Sequence, residues 1–166
     1  MKIECKRLND INKSEIIELL NHPLVLRHMP LVKDCFDDAA YDVFILAKEK
    51  LWTDHGYGPL AFVVDGKFIG WGGLQYEEGD ADLALVLHPN YWGIGKSIYE
   101  IIIKKAFVDM GLESITALLP PSRKSIKGLK KLGFQPDGEL TINNERFFRY
   151  RLYSKRCNYL NINKFK

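Results

Sequence analysis

The chain has 166 residues, of which 46% are hydrophobic, 12% aromatic and 27% charged. That length and balance fit one ordinary folded domain and exclude collagen, a long coiled coil and intrinsic disorder. Its 24 Lys and Arg against 21 Asp and Glu leave a net charge of +3, too mild to argue for nucleic acid. No run of about 18 apolar residues marks a membrane span. Met1 to Asp10 alternates polar and apolar residues and lacks the apolar stretch of a secretion signal. Cys5, Cys35 and Cys157 are odd in number and share no metal-ligand spacing, so a reduced, cytoplasmic protein without a metal is expected.

Residues 2–8 alternate as a first strand, and Asn12 or Ser14 is placed to cap a helix through Ile16, Ile17, Leu19 and Leu20. Pro23 and Pro30 break the next stretch into short pieces. A second helix is predicted over 37–52, with Val43, Phe44, Ala47 and Leu51 at helical spacing. The period then changes. Leu60 to Val64 and Phe68 to Leu74 flank Asp65-Gly66, a strong hairpin signal. Glu77 to Asp80 forms the next turn, and Asp82 to His88 a further strand ended by Pro89. A long helix runs from Ser97 to Met110, with Gly111 as its C-cap. Residues 114–119 form a buried strand, 122–132 a helix stopped by Gly133, and 134–141 and 145–153 two strands around Asn143-Asn144. The expected class is α/β (α+β): one mixed, mostly antiparallel central sheet flanked by helices.

Charge is uneven along the chain. After Glu145 come seven basic residues and no acidic one, leaving 17 basic and 21 acidic residues before it. The simplest reading is a domain over 1–155 followed by a basic tail at 156–166.

The segment Leu85-Val86-Leu87-His88-Pro89-Asn90-Tyr91-Trp92-Gly93-Ile94-Gly95-Lys96-Ser97 carries chemistry. It sets a Gly-x-Gly turn between a strand and a helix. Glycines there let the backbone approach a ligand and take positive φ where needed. The first helical amides have no internal partners, so Gly93 to Ser97 is a candidate cradle for a phosphate. A dinucleotide fingerprint requires a third glycine where Ile98 stands, and a nucleoside-triphosphate loop requires one at Asn90. Neither pattern is met.

From Asp82 through Phe134 the chain resembles the GCN5-related N-acetyltransferase (GNAT) superfamily. Asn90-Tyr91-Trp92-Gly93-Ile94-Gly95 aligns with that family's acyl-CoA loop. The wording of 88–97, and the run from Ser122 to Lys131-Leu132-Gly133-Phe134, look most like the branch of ribosomal-protein N-terminal acetyltransferases. Residues 68–74 look like that branch's third strand. The resemblance implies acetyl-CoA as co-substrate and direct acetyl transfer to a primary amine, on a protein N-terminus or a small cationic molecule.

Carried over residue by residue, the resemblance implies that Val86 and Leu87 offer backbone amides to the pantetheine arm, with His88 at the rim. Trp92, Gly93, Ile94, Gly95, Lys96 and Ser97 would hold the pyrophosphate, and Ser122 would stand where the family usually has an arm-binding Asn. Asp82 would be the base. Ser125 would serve the leaving thiolate, because Leu129 occupies the position where many members carry a proton-donating Tyr. Glu77, Glu78 and Asp80 crowd one turn and could attract a cationic amine. Two other classes remain at this point: a non-catalytic acyl-CoA-binding module, and a nucleic-acid-binding domain using the basic C-terminal segment, which leaves the glycine loop unexplained.

Overall fold

A computed structural model of the chain describes residues 1–123 and 126–157. The first alternating segment forms β1 (Ile3–Lys6). Asn12 caps α1 (Lys13–Asn21) by accepting the Ser14 amide at 3.0 Å. His22 caps α2 (Pro23–Leu26), whose proline sits in the first turn, where no amide hydrogen is needed. Asp37 opens α3 (Asp38–His55) by accepting the Ala40 amide at 2.8 Å, and Gly56 closes it at φ 75°.

The buried face of α3 differs from the expected stripe. Phe44 packs inward with Tyr41 and Ile45, but Val43 is 71% exposed and Ala47 is also exposed. The stem of Lys48 covers part of the inner face instead, as long amphipathic side chains can.

β2 (Pro59–Val64) turns through Asp65 and Gly66 into β3 (Lys67–Glu77), which turns through Glu78 and Gly79 into β4 (Asp80–Leu87). All four turn residues have positive φ, the geometry whose twist matches paired strands. α4 (Gly95–Ile103) continues into a π-helical turn over Lys104–Asp109, where the Met110 amide reaches the Lys105 carbonyl at 2.9 Å. A 3.6-residue pattern does not reveal that widening. β5 (Ser114–Leu119) follows, and α5 (Lys127–Leu132) starts later than position 122 but ends on Gly133 as expected. β6 (Gln135–Ile142) and β7 (Glu145–Tyr153) close the chain's sheet around Asn143 and Asn144, both at positive φ.

The seven strands lie in the order β1-β2-β3-β4-β5-β7-β6, antiparallel except for β4 beside β5. β3 and β4 pair from Gly70↔Leu87 to Glu77↔Asp80, and β5 pairs with β7 from Ser114↔Tyr153 to Leu119↔Phe148. β4 and β5 meet at Asp82↔Thr116 alone. Beyond that pair the strands splay into a fork.

Strand alternation sorts the two faces. Leu83, Leu85 and Leu87 pack with α4, whereas Ala84 and Val86 pack with Trp71 beneath α1 and α3. Cys157 is buried in the α4-side core, so packing continues past Tyr153.

β3 approaches β4 closely because Gly70 and Gly72 carry no side chain. A Cβ would lie 2.3 Å from the Val86 carbonyl oxygen at Gly70 and 2.3 Å from that of Ala84 at Gly72. Gly72→Ala is therefore expected to destabilise the fold by at least about 2 kcal/mol. Thermal unfolding should show it as a midpoint lowered by roughly 4–8 °C.

Candidate functional site

His88 ends β4 and starts the glycine segment. Its Nδ1 accepts the Asn90 amide at 3.2 Å, and its ring stands edge-on to His22 at 5.2 Å. His88 thus shapes the turn and is not a cavity-lining residue. Pro89–Ile94 winds as a 3-10 turn, and α4 begins at Gly95 with Ile94 at its N-cap and no side-chain cap. The Gly95 amide itself bonds the Trp92 carbonyl, and with no side chain over it the start of α4 presents the positive end of the helix dipole, where an anion is favoured.

The two glycines of this turn do not serve through positive φ, contrary to the conformational part of the sequence reading. Gly95 is right-handed helical at φ −53°, ψ −35°, and Gly93 is not in the positive-φ region. A Cβ at Gly93 would meet nothing within 4 Å, and one at Gly95 only Leu87 Cδ1 at 3.9 Å. What glycine supplies here is open space above the amides.

The fork presents backbone donors with a definite parity. The His88 amide bonds the Ile69 carbonyl at 2.9 Å. Antiparallel ladders alternate, so residues 86, 84 and 82 direct their amides toward β3, and 87, 85 and 83 direct theirs toward β5. The Leu83 amide falls at the Asp82↔Thr116 bridge. Leu85 and Leu87 therefore face the fork, and the Val86 amide belongs to the sheet. This replaces Val86 by Leu85 as a backbone donor, while the Val86 side chain still lines the cavity. The Leu87 carbonyl, on the fork side, accepts the Trp92 Nε1 hydrogen at 3.0 Å, which holds that half-exposed indole over the opening.

A cavity of about 670 Å³ follows the fork. Trp92, Gly95 and Lys96 line its α4 end, with Leu129 and Leu132 from α5. Gly93, Ile94 and Ser97 belong to the same turn and helix start but do not line it. Ser122 Oγ lies 3.0 Å from His28 Nδ1, tying the loop after β5 to the loop after α2. That second loop is pinned again by an ion pair between Lys33 and Glu145 at the start of β7. Burial, with Arg123 and Arg27 nearby, pushes the His28 pKa down. Ser125 lies outside the described residues.

At the vertex of the fork Asp82 is 6% exposed and accepts the Thr116 hydroxyl hydrogen at 3.0 Å. Burial pushes its pKa up to about 7, against the Thr116 hydrogen bond and the Lys48 charge. Cross-strand pairing places Gln75 beside Asp82 on the face beneath α3. Lys48 reaches in from α3, donates to Gln75 Oε1 at 2.8 Å and lies 4.9 Å from the Trp71 ring centre. Burial lowers its pKa to about 8, although Glu77 and Asp82 favour the ammonium. The sequence reading missed Lys48, Gln75 and His28, whose signal is spatial. Asp80, counted there as available to an amine, is held by Arg151 through two hydrogen bonds of 2.7 and 2.9 Å.

The arrangement joins a helix start without a side-chain cap, a channel edged by backbone donors and a buried carboxyl group with a pKa near neutrality. Residues 7–135 match the family model described as the acetyltransferase (GNAT) domain. The chain belongs to the GNAT acetyltransferase family. Solved structures of similar fold include an acetyltransferase from Agrobacterium tumefaciens, 17% identical, covering 92% of this chain and 91% of that one at a TM-score of 0.73. Spermidine N-acetyltransferase from Vibrio cholerae, in complex with CoA and spermine, is 16% identical over 96% and 98% of the two chains, with a TM-score of 0.70. An aminoglycoside acetyltransferase in complex with coenzyme A and kanamycin is 16% identical over 93% and 96%, with a TM-score of 0.68. At these identities the likeness establishes the fold alone. No curated relative matches the chain. Among the described residues no His, Cys, Asp and Glu cluster could hold a metal ion, and no helix is long and apolar enough to cross a membrane.

Proposed function

We propose that this GNAT domain, spanning about 1–155 and followed by a basic segment, moves an acetyl group from acetyl-CoA to a primary amine by direct attack in the cytoplasm. The observation that carries this reading is one continuous cavity running from the start of α4, which has no side-chain cap, to the buried carboxyl of Asp82. The residues present fit the co-substrate. The α4 amides and the open space at Gly93 and Gly95 suit a pyrophosphate. The Leu85 and Leu87 amides suit the pantetheine arm and the charge that develops on the thioester oxygen.

Asp82 takes the proton that the amine loses as its nitrogen–carbon bond forms and the carbon–sulfur bond breaks. Leu129 has no proton to give the departing sulfur; the Ser125 hydroxyl, matched by sequence resemblance, is our assignment for that task. The wording of 88–97 supports kinship with ribosomal-protein N-terminal acetyltransferases, for which the acceptor would be a protein N-terminus.

Calorimetric titration with acetyl-CoA, CoA and NADPH tests the reading, followed by thiol release over amines and peptides. Acetyl-CoA and CoA should bind while NADPH does not, and at least one amine should release thiol. Absence of CoA binding would overturn it. Binding without turnover would leave a non-catalytic acyl-CoA-binding module.

A further inference from the structure

The face of the fork that meets the acceptor is walled by Leu24, Val25, Met29 and Leu31 from the loop around α2, Trp71 from β3 and Phe147 from β7. Among the described residues, the carboxylates lining the cavity are Glu77 and Asp82. Lys48, bonded to Gln75, which lies beside Asp82 and on the same face of β3 as Glu77, acts on both with a single positive charge. Lys48 lies over the rings of Trp71 at 4.9 Å and Phe44 at 5.5 Å, so its ammonium occupies the aromatic surface that an incoming cation would use. Asp80, a further carboxylate of the turn, is engaged by Arg151, Glu78 stands exposed at the turn's tip and outside the lining, and Arg123 adds positive charge to the lining.

A polyamine or aminoglycoside brings several ammonium groups, and each needs a partner when it leaves water. The two carboxylates lining this wall share one lysine, so it offers several ammonium groups at most one partner. It does offer a wide apolar surface, together with the indole N–H of Trp71, which is buried without a hydrogen-bond partner.

We infer that the acceptor is a primary amine carried on an apolar or aromatic body, and not a polycation. The inference rests on the acetyl-transfer reading of the same cavity and names its substrate class. Two sources share this chemistry: a free arylalkylamine, and a peptide whose N-terminal residue is apolar.

The test uses the protein saturated with CoA, so that the acceptor side is read without chemistry. Phenethylamine, tryptamine, a Phe-initiated peptide, spermidine and kanamycin are titrated by calorimetry, and the same panel is run for thiol release with acetyl-CoA. At least one of the first three should bind about tenfold tighter than spermidine and kanamycin, and the better of amine and peptide identifies the source. Leu31→Asp, on an exposed part of the wall, and Lys48→Met each make the face more negative by one charge. Each should narrow that ratio by about threefold or more.

Equal or tighter binding of spermidine or kanamycin overturns the inference, as does failure of every amine to bind. Selective binding with no thiol release would instead sink the acetyl-transfer reading and leave the selectivity standing.

Discussion

Asp82→Asn should lower kcat by about 10²–10³-fold while raising the thermal midpoint at neutral pH. A base must be unprotonated to accept the amine's proton. With the Asp82 pKa near 7, kcat/KM should rise as the pH climbs through 7, and the variant should lose that limb and keep only the rise set by the amine itself. The stability change has the opposite sign. The Asp82 pKa is raised from its ordinary 3.8, so the contribution of the protonated group is complete below about pH 4 and is lost as the pH rises through 7.

Each pKa unit is worth about 1.4 kcal/mol, which caps the gain from a neutral amide near 4 kcal/mol. Asn still accepts the Thr116 hydrogen, but it deprives the Lys48 ammonium of a counter-charge, so a gain of about 1–2 kcal/mol is the expected balance. Thermal unfolding at pH 7.5 should register it as a rise of roughly 2–6 °C. Equal loss of stability and activity would mark Asp82 as a structural residue. A pH profile that keeps its limb near 7 would assign the base elsewhere.

Much of the scaffold was legible because it is written in local chemistry. Asp65-Gly66 and Asn143-Asn144 announce their hairpins through the positive φ that such turns require, and Asn12 and Gly133 punctuate helices through hydrogen bonding and backbone freedom. What stayed hidden is non-local. β7 inserts between β5 and β6, and β4 touches β5 at a single pair. No short-range pattern encodes either fact, yet together they make the fork.

The site divides the same way. The glycine turn could be located from its spacing and its likeness to an acyl-CoA loop. The backbone donors could not be assigned from that likeness, because register decides them: one residue's shift exchanges the fork side of β4 for its β3 side. Alternation of Leu83, Leu85 and Leu87 in the sequence carried the parity, and the His88–Ile69 hydrogen bond fixes it. Lys48 reads as a solvated helix residue until α3 is laid across β3. Only then do its ammonium, Gln75 and Asp82 belong to one place.

Gly95→Leu isolates the cradle from the fold. Glycine at Gly72 is a packing requirement, since its Cβ would collide with backbone. At Gly95 the same residue type faces nearly empty space and a helical φ that any residue adopts. A leucine there should fold at least as well, because glycine is the weaker helix former by up to about 1 kcal/mol. Its side chain would nevertheless spread over the first α4 amides, where a pyrophosphate would sit. Acetyl-CoA affinity should fall at least about 30-fold, roughly 2 kcal/mol, with an unchanged or higher thermal midpoint. Calorimetry and thermal unfolding on the same preparation separate the outcomes. A variant that unfolds early would make Gly95 a structural glycine. One that folds and binds acetyl-CoA normally would remove the start of α4 from the phosphate site and with it the anchor on which the orientation of the whole reaction depends.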